Sequence, residues 1–336
     1  MGEHVSAPAT EVSTVDILIV GAGPAGLYAA YYAGFRGLSI AVVDSLPEPG
    51  GQISALYPEK LLHDIAGFSA VRGRDLVDAL VGQAAQFAPR YFLAEQAAEL
   101  EHLPAGLAVT TDAGRRIECR AVVLTGGIGT FAPRPLPAGE EFLGRGLRYF
   151  VPKLDSLAGQ DVLVVGGGDS AVDWALSLEP IASSVTLVHR RAAFRAHRHS
   201  VDRMHASGAR VLTDREVRRL DGRDRVERAE IAHRVTGETE TVDVQAVVAA
   251  LGFTADLGPI AEWGVEIKDR RIVVDSRMWT GVPGVYAAGD ITEYPGKVRL
   301  IAVGFGESAT AVNNAAIHID PGADLFPGHS TDAPAA

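Results

Sequence analysis

The stretch of sequence that decides the fold is residues 15–26, which read VDILIVGAGPAG. Its first six residues are mainly apolar and predict a buried β-strand. Gly21, Gly23 and Gly26 follow with the spacing of a dinucleotide-binding turn. In such a turn the first glycine permits the sharp bend, the second lets the backbone approach a pyrophosphate, and the third lets the helix pack on the strand. The helix predicted from Leu27 to Ala33 would present its N-terminal N–H groups to the phosphates.

The pattern occurs a second time, 145 positions further along the chain. Residues 161–171 read DVLVVGGGDSA and place Gly166, Gly168 and Ala171 at the three glycine positions. The following strand, residues 183–188 in the second copy, repeats without a gap. A single glycine-rich turn is a weak indication, since such turns are common. Two copies, each between a strand and a helix, indicate a duplicated βαβ unit.

The residue that ends the second strand differs between the two copies. In the first copy it is Asp44, a carboxylate placed to accept hydrogen bonds from a ribose 2′-hydroxyl. In the second copy it is His189, followed by Arg190 and Arg191, and guanidinium groups bind phosphate in a bidentate manner. The first site is therefore predicted to hold FAD or NAD and the second to hold NADP. A solvated basic turn is an alternative explanation of the arginines.

The composition limits the remaining function classes. The chain has 336 residues, enough for about two domains, and its net charge of −11 argues against nucleic acid or a membrane surface as a partner. No apolar run approaches the roughly 18 residues of a membrane span, and the polar start lacks a signal peptide's apolar core, so a cytoplasmic protein is expected. Cys119 is the only cysteine, which excludes an internal disulfide, a Cys-x-x-Cys pair and a thiolate zinc site.

Strand-like alternation follows each βαβ unit, in residues 91–124 and in residues 209–251. The chain then returns through residues 285–290, VYAAGD, a short strand that ends in an acid. These features predict an α/β protein with two Rossmann-like nucleotide-binding domains of the three-layer ββα type.

The second domain is predicted to be inserted into the first, with residues 133–137 (PRPLP) as one linker between them. The first domain is expected to comprise residues 1–130 and 252–336, with residues 1–12 disordered, and the second to comprise residues 131–251.

Several segments make the chain resemble a known family. They are residues 50–60 (GGQISALYPEK), 166–176 (GGGDSAVDWAL), 288–290 (AGD) and 304–314 (GFGESATAVNN). Together with the first glycine motif they resemble the thioredoxin-reductase-like flavoproteins. In detail they are similar to the ferredoxin/flavodoxin–NADP reductases of that type. The resemblance runs from residue 15 to residue 331 and implies an FAD domain into which an NADP domain is inserted.

The same comparison separates this chain from the thioredoxin reductases proper. Those enzymes carry a Cys-x-x-Cys pair just before the second nucleotide motif, where this chain reads GLRYFVPK at residues 146–153. A dithiol relay needs two sulfurs to accept electrons and to exchange with a disulfide. The chain therefore has no internal relay of this kind.

The resemblance implies FAD contacts that come from both parts of the first domain. Tyr57 is expected to stack on the flavin, and Asp44 stands where the family usually has glutamate. The C-terminal His329 and Thr331 are expected to cover the flavin of a partner subunit, which implies a homodimer. The implied FAD-binding residues are Gly21, Gly23, Gly26, Asp44, Gln52, Tyr57, Ala97, Phe131, Asp290, His329 and Thr331.

The resemblance likewise implies an NADP site in the second domain. Arg198 departs from the acid that relatives commonly have at its position. His197, His199 and His205 are interpreted as a solvated rim of this site, and no metal site is predicted. The implied NADP-binding residues are Gly166, Gly168, Ala171, His189, Arg190, Arg191 and Arg195.

The activity implied is electron transfer between NADPH and ferredoxin or flavodoxin through FAD, with no catalytic side chain required. Two alternatives stay open: an NADPH-dependent flavin reductase of a low-molecular-weight disulfide, and a non-catalytic flavoprotein that senses redox state. The arginines within residues 215–228 could steer an acidic partner, or could be solvated charges interleaved with acids.

Overall fold

The computed structural model describes residues 12–127 and 129–329. Contacts between Cα atoms divide the chain into two compact units. The first unit comprises the described residues up to Ser54, Leu62–Thr130, and the described residues from Ala255 onward. The second unit comprises Ala55–Leu61 and Phe131–Thr254. The predicted leader, residues 1–12, lies outside the described residues except for its last position.

Helices separate the strands in the two βαβ units, whereas runs of consecutive strands make up much of the rest. The strands are β1 (Val12–Val20), β2 (Ile40–Asp44), β3 (Leu61–Leu62), β4 (Val71–Arg72), β5 (Arg90–Leu93), β6 (Ala97–Leu103), β7 (Gly106–Thr111), β8 (Arg116–Leu124), β9 (Thr130–Pro133), β10 (Leu147–Arg148), β11 (Asp161–Val165), β12 (Ser184–Val188), β13 (Arg210–Leu212), β14 (Arg215–Asp221), β15 (Arg228–His233), β16 (Thr239–Asp243), β17 (Ala246–Ala249), β18 (Phe253–Asp256), β19 (Ile267–Lys268), β20 (Arg271–Val273), β21 (Val285–Ala287) and β22 (Thr292–Glu293). The α-helices are α1 (Pro24–Phe35), α2 (Gln52–Leu56), α3 (Gly73–Ala85), α4 (Asp169–Leu178), α5 (Arg198–Ala206) and α6 (Ile301–Ile319), and short 3₁₀ helices lie at Glu140–Phe142, Leu154–Leu157 and Gly258–Glu262.

The first unit is built on a sheet whose central strands are parallel. The order is β5-β2-β1-β8-β7-β6, with β5, β2, β1 and β8 parallel and with β7 and β6 added in antiparallel fashion. Strand β21 returns late in the chain and pairs in parallel with the second half of β8. Helix α1 packs against α3 and α6. The small sheet β19-β20-β22 also belongs to this unit, and the two-stranded sheet β3-β4 begins at Leu61, where the chain leaves the second unit.

The second unit has a parallel five-stranded sheet in the order β10-β17-β11-β12-β13 and a separate antiparallel sheet, β14-β15-β16. Alternate residues of β11 belong to different apolar clusters. Val162 and Val164 pack in one cluster with α4, and Leu163 and Val165 pack in another with β14 and β15. Because successive side chains of a strand point to opposite faces, the unit has three layers: antiparallel sheet, parallel sheet and helix. Strands β9 and β18, at the unit boundaries, pair with each other.

The duplication predicted from the sequence is present in the strand register. Val20 of β1 pairs with Val43 of β2, and Val165 of β11 pairs with Val188 of β12, 145 residues later at both positions. The predicted α/β fold with two Rossmann-like units is confirmed. Among the described residues, no helix is both long and apolar enough to cross a membrane.

A pair of side chains is duplicated as well. The hydroxyl of Ser39 donates to the Asp16 carboxylate at 2.6 Å, and the hydroxyl of Ser184 donates to the Asp161 carboxylate at 2.6 Å. Each pair ties the central strand to the start of its neighbour. The repeat therefore extends from backbone register to local side-chain contacts.

Candidate dinucleotide sites

The first glycine turn joins β1 to α1. Gly21 has φ +112°, and a Cβ added there would lie 2.6 Å from the carbonyl oxygen of Thr125. A Cβ added at Gly26 would lie 1.8 Å from the carbonyl oxygen of Gly21. At Gly23, by contrast, the nearest atom to an added Cβ is the Cα of Gly51, 4.0 Å away. The outer glycines are therefore required by backbone packing, whereas the middle glycine borders open space that can receive a ligand.

In the second turn, between β11 and α4, the first position is again crowded and the middle position is again open. A Cβ added at Gly166 would lie 2.4 Å from the carbonyl oxygen of Ala250, and one added at Gly168 would have no atom within 4 Å. Ala171 is fully buried at the place of the third glycine. The residues present at both turns thus fit a pyrophosphate, which needs close approach to the backbone at the middle position.

Both helices after these turns have backbone donors in their first turn. Helix α1 begins directly after Gly23 and helix α4 directly after Gly168, and a glycine N-cap has no side chain to satisfy these donors. In α1 the donors start at Ala25, because Pro24 has no N–H. The first N–H groups of a helix have no partner within it and carry a partial positive charge. Each turn can therefore donate hydrogen bonds to phosphate oxygens.

Asp44 ends β2 beside the first turn. One of its carboxylate oxygens accepts the N–H of Ala22 at 2.5 Å, and the other accepts the N–H of Leu46 at 2.8 Å. Burial raises the pKa of this carboxyl, and the two hydrogen bonds oppose that effect. A carboxylate has about four lone-pair sites, so Asp44 can still accept hydroxyl donors such as those of a ribose.

The segment that follows β2 lies against the first turn. The N–H of Gly50 donates to the carbonyl of Ala22 at 2.8 Å. The side-chain amide of Gln52 lies 3.0 Å from where a Cβ of Gly127 would be. The structure thus brings Gln52 and the strand-end residues around Gly127 next to the glycine turn.

Ala97 and Asp290 approach the same region from later parts of the chain. Ala97 is buried in β6, just after the loop in which Glu95 donates its N–H to the carbonyl of Asp44 at 3.1 Å. Asp290 follows β21. The residue before it, Gly289, packs on α1, since an added Cβ would lie 3.0 Å from the Cβ of Ala25.

Three of the residues implied for FAD lie elsewhere or outside the described part. Tyr57 belongs to the second unit, where it packs on the apolar cluster around α4. Its neighbour Lys60 forms an ion pair with Asp173 of that helix. Phe131 lies in β9, and its side chain is outside the described part of the structure. Thr331 lies outside the described residues.

His329 lies exposed in the C-terminal tail, edge-on to Phe326 with 5.1 Å between ring centroids. The tail is held just before this point. Arg36, directly after α1, donates to the carbonyls of Asp324 at 2.8 Å and Leu325 at 3.2 Å. The tail is therefore fixed at the C-terminal end of α1, whereas the glycine turn lies at the N-terminal end.

His189 ends β12 at the position equivalent to Asp44, and its side chain is 7 % exposed. Its ring covers Gly167, because an added Cβ there would lie 2.1 Å from the ring atoms. The ring stacks on Phe194 with 5.0 Å between centroids, and its Nε2 lies 3.1 Å from the carbonyl of Ala193. Burial lowers the pKa of His189, and Arg190 and Arg191 lower it further. This histidine supports the turn as a buried, neutral ring.

The arginines after His189 face solvent. Arg190, Arg191 and Arg195 are exposed, so their guanidinium groups are available to an anion. The loop that carries them is tied to the glycine turn at two points. The N–H of Arg195 donates to the carbonyl of Gly167 at 2.8 Å, and the N–H of His197 donates to the Asp169 carboxylate at 2.8 Å. Sequence reasoning missed this role of Asp169, and its only signal was an acid directly after the last glycine.

Thiol and metal chemistry find little support in the described residues. Cys119 is buried in β8, and burial raises the pKa of its thiol to about 12. A thiol with such a pKa is not a nucleophile near neutral pH, because the thiolate is the reactive form. Nowhere in residues 12–127 and 129–329 do three or more His, Cys, Asp or Glu side chains come together to hold a metal ion.

With this geometry established, the comparisons identify the class of protein. The sequence pattern of the family described as pyridine nucleotide-disulphide oxidoreductase matches residues 15–315. The chain belongs to this family.

Individual relatives within and around this family have named activities. The ferredoxin–NADP reductase of Frankia alni is 65 % identical over 315 residues, which is 94 % of this chain and 98 % of that protein. The ferredoxin–NADP reductase of Salinispora tropica is 63 % identical over 318 residues, 95 % of this chain and 98 % of that protein. Among solved structures, the thioredoxin reductase of T. acidophilum matches with a TM-score of 0.78 at 26 % identity, covering 90 % of this chain and 97 % of that chain. The resemblance noted in the sequence is confirmed.

Proposed function

We propose that the protein is a ferredoxin–NADP reductase that binds FAD in its first unit and NADP(H) in its second. One observation carries this proposal. The same dinucleotide turn occurs twice, and it is closed by the carboxylate of Asp44 in one unit and by His189 with exposed arginines in the other. A carboxylate repels a 2′-phosphate, whereas guanidinium groups attract one. The two units therefore select different dinucleotides.

FAD would be held by residues that the first unit already brings together. The open side of Gly23 and the first N–H groups of α1 receive the pyrophosphate, and Asp44 receives the adenosine ribose. Gln52, Ala97 and Asp290 complete the proposed contacts. When bound, FAD supplies the ability to accept a hydride from NADPH and to release electrons singly.

NADP(H) would be held by the second unit. Gly168 leaves space for the pyrophosphate, and Arg190, Arg191 and Arg195 bind the 2′-phosphate at the exposed end of the loop. His189 acts differently from the arginines, because its ring is buried and neutral. Its ring packs against Gly167. It thereby stabilises the turn to which Arg195 donates its N–H.

The chain itself offers no thiol relay. Its single thiol, Cys119, is buried in the sheet of the first unit and stays protonated near neutral pH. Electrons must therefore pass to the acceptor without a cysteine intermediate. This property favours a protein acceptor that takes single electrons, which we propose to be ferredoxin or flavodoxin, in the cytoplasm.

The arginines of the antiparallel sheet give little support to steering of an acidic partner. Arg215 forms an ion pair with Glu240 at 3.3 Å, and Arg218 forms one with Glu216 at 2.8 Å. Arg219 pairs with Asp221 at 2.9 Å. Much of this positive charge is balanced locally, so we do not assign the acceptor surface to this sheet.

The C-terminal tail supports a homodimer as part of the proposal. Helix α1 has 12 residues, a length of about 18 Å, and the tail is held by Arg36 at the end of the helix far from Gly23. The residues from Leu325 to His329 span at most about 14 Å. The tail is therefore held away from the glycine turn of its own chain, which supports a role for His329 in covering the flavin of a second copy.

An acceptor panel tests the proposed activity. NADPH is mixed with the purified holoenzyme and with ferredoxin, flavodoxin or a small disulfide in turn, and the initial rates are compared. We expect rapid reduction of ferredoxin and none of the disulfide. The Cys119→Ala variant is the matched control. It should reduce ferredoxin at the wild-type rate, because the Cys119 thiol takes no part in the proposed transfer. Transfer to the disulfide alone, or to no acceptor at all, would refute the proposal in favour of a disulfide reductase or a redox sensor.

A further inference from the structure

Helix α6 buries a face of small residues, and a charged residue lies in the middle of it. Gly304, Ser308 and Ala311 are buried on this face together with Glu307, which is 5 % exposed. Burying a carboxylate costs free energy unless the group is paired and hydrogen-bonded. The proposed FAD contacts do not include Glu307, so its burial needs another explanation.

The carboxylate of Glu307 is paired with an equally buried cation. The Nζ of Lys297 lies 2.5 Å from Oε1 of Glu307, and the lysine side chain is 1 % exposed. The hydroxyl of Tyr294 donates to the same oxygen at 2.5 Å. Burial and the neighbouring Glu307 raise the pKa of Tyr294 to about 12, so the phenol remains a donor near neutral pH.

Both members of the pair also bind the backbone of Gly289. Oε2 of Glu307 accepts the N–H of Gly289 at 2.7 Å, and Nζ of Lys297 donates to the carbonyl of Gly289 at 3.0 Å. The hydroxyl of Thr292 donates to the same carbonyl at 2.8 Å. Gly289 has φ +82°, a conformation that glycine adopts readily and other residues rarely do. One residue thus has its donor and its acceptor held by a buried ion pair.

Gly289 connects β21 to the residue proposed to contact FAD. It packs against Ala25, in the first turn of α1, and it precedes Asp290 in the chain. The carbonyl of Asp290 in turn accepts the Nε of Arg271 at 3.3 Å. The backbone is therefore held both before and after the Asp290 side chain.

We propose that Lys297 and Glu307 are positioning residues that preset the Gly289–Asp290 turn for FAD. The inference rests on the proposed function, because it takes Asp290 to contact FAD. A buried ion pair kept only for stability can often be replaced by uncharged side chains of similar volume at little cost. A pair that positions the turn cannot be replaced in this way without weakening cofactor binding, since the carbonyl of Gly289 loses its charged donor and keeps only the donors of Thr292.

The test separates stability from positioning through two variants. In Lys297→Met the Glu307 carboxylate is left buried and unpaired, so we expect both a lower melting temperature of the apoprotein and weaker FAD binding. The double variant Lys297→Met, Glu307→Gln removes both charges and keeps an oxygen for the N–H of Gly289. We expect its melting temperature to recover, while its FAD dissociation constant stays about tenfold above the wild-type value, as for the loss of one charge-assisted hydrogen bond. FAD binding is followed by quenching of flavin fluorescence as apoprotein is titrated.

The matched control is the exposed ion pair of the same region, Arg299 with Glu293, which are 2.5 Å apart. The double variant Arg299→Met, Glu293→Gln should leave the melting temperature and the FAD dissociation constant unchanged. If the Lys297→Met, Glu307→Gln variant binds FAD as tightly as the wild type, the pair has a purely structural role and the inference is wrong. If the wild-type apoprotein does not bind FAD, the proposed function fails instead, which is a separate outcome.

Discussion

The two βαβ units share the hydrogen bond that closes the loop after their second strand. In the first unit the N–H of Gly50 donates to the carbonyl of Ala22 at 2.8 Å. In the second unit the N–H of Arg195 donates to the carbonyl of Gly167 at 2.8 Å, and both residues lie 145 positions further along. The backbone duplication thus extends beyond the strands to the loop beside each glycine turn, where the donor is a glycine in the first unit and an arginine in the second.

The units differ in how the end of the second strand meets the turn. Asp44 accepts the N–H of Ala22 at 2.5 Å, so its carboxylate lies at the site itself. The ring of His189 instead packs on Gly167. The exposed arginines of this loop start at the next residue, Arg190. The comparison teaches that the proposed difference in nucleotide choice needs no difference in the backbone. An acid in one unit corresponds to a buried ring in the other, and the charges proposed to bind phosphate lie on the outer loop.

Substitution at the third glycine position is expected to show the largest difference between the two units. At Gly26 an added Cβ would lie 1.8 Å from the carbonyl oxygen of Gly21, whereas the second unit has Ala171 at the same position. We expect Gly26→Ala to push α1 away from its strand, to destabilise the first unit by roughly 3 kcal/mol and to yield protein without FAD. The measurements are the flavin content of the purified protein and its melting temperature.

The reciprocal variant, Ala171→Gly, is the control. It should cost about 1 kcal/mol, as glycine does in a helix, and should leave the FAD content unchanged because it lies in the other unit. A Gly26→Ala protein that retains a full complement of FAD would show that the two turns are not as different at this position as the structure indicates.

The sequence was sufficient to predict the fold and the two turns, because a fixed offset of 145 residues carries the strands and the glycine spacing together. It was not sufficient for Lys297 and Glu307. A single lysine in a loop and a single glutamate in a helix resemble ordinary solvated charges. A signal existed nonetheless: Glu307 follows Gly304 by three residues and precedes Ala311 by four, which places it on the small-residue face of α6.

The sequence also grouped residues that the structure separates. The motif of His189 and the following arginines indicated one phosphate-binding set, yet the histidine is buried and the arginines are exposed. Burial could not be predicted here, because it depends on the contact of the ring with Gly167 and Phe194. Tyr57 lies close to Gln52 in sequence, but contacts assign the two residues to different units.

The outer arginines give the next largest expected effect. If Arg190 and Arg191 bind the 2′-phosphate, replacing both by alanine should lower the preference for NADPH over NADH by about a hundredfold, since each removes at least one charge-assisted hydrogen bond. The measurement is the ratio of kcat/KM for the two nucleotides. The Arg218→Ala, Arg219→Ala variant removes the same charge from the antiparallel sheet and should leave the ratio unchanged. A ratio that is equal in both variants would contradict the assignment of the 2′-phosphate.

The smallest expected effect concerns the titration of His189. Burial lowers the pKa of His189 below its ordinary value of 6.5, so the folded protein holds the ring neutral more strongly than the unfolded chain does. Stability is therefore expected to decrease as the pH falls below about 6.5, because the unfolded chain then binds a proton that the folded unit resists. Nuclear magnetic resonance of the imidazole, assigned by comparison with His189→Phe, measures the pKa directly. A pKa above the pH of the NADPH assay would mean that the ring is charged when NADPH binds, and His189 would then belong with the arginines as a phosphate ligand rather than with Gly167 as part of the turn.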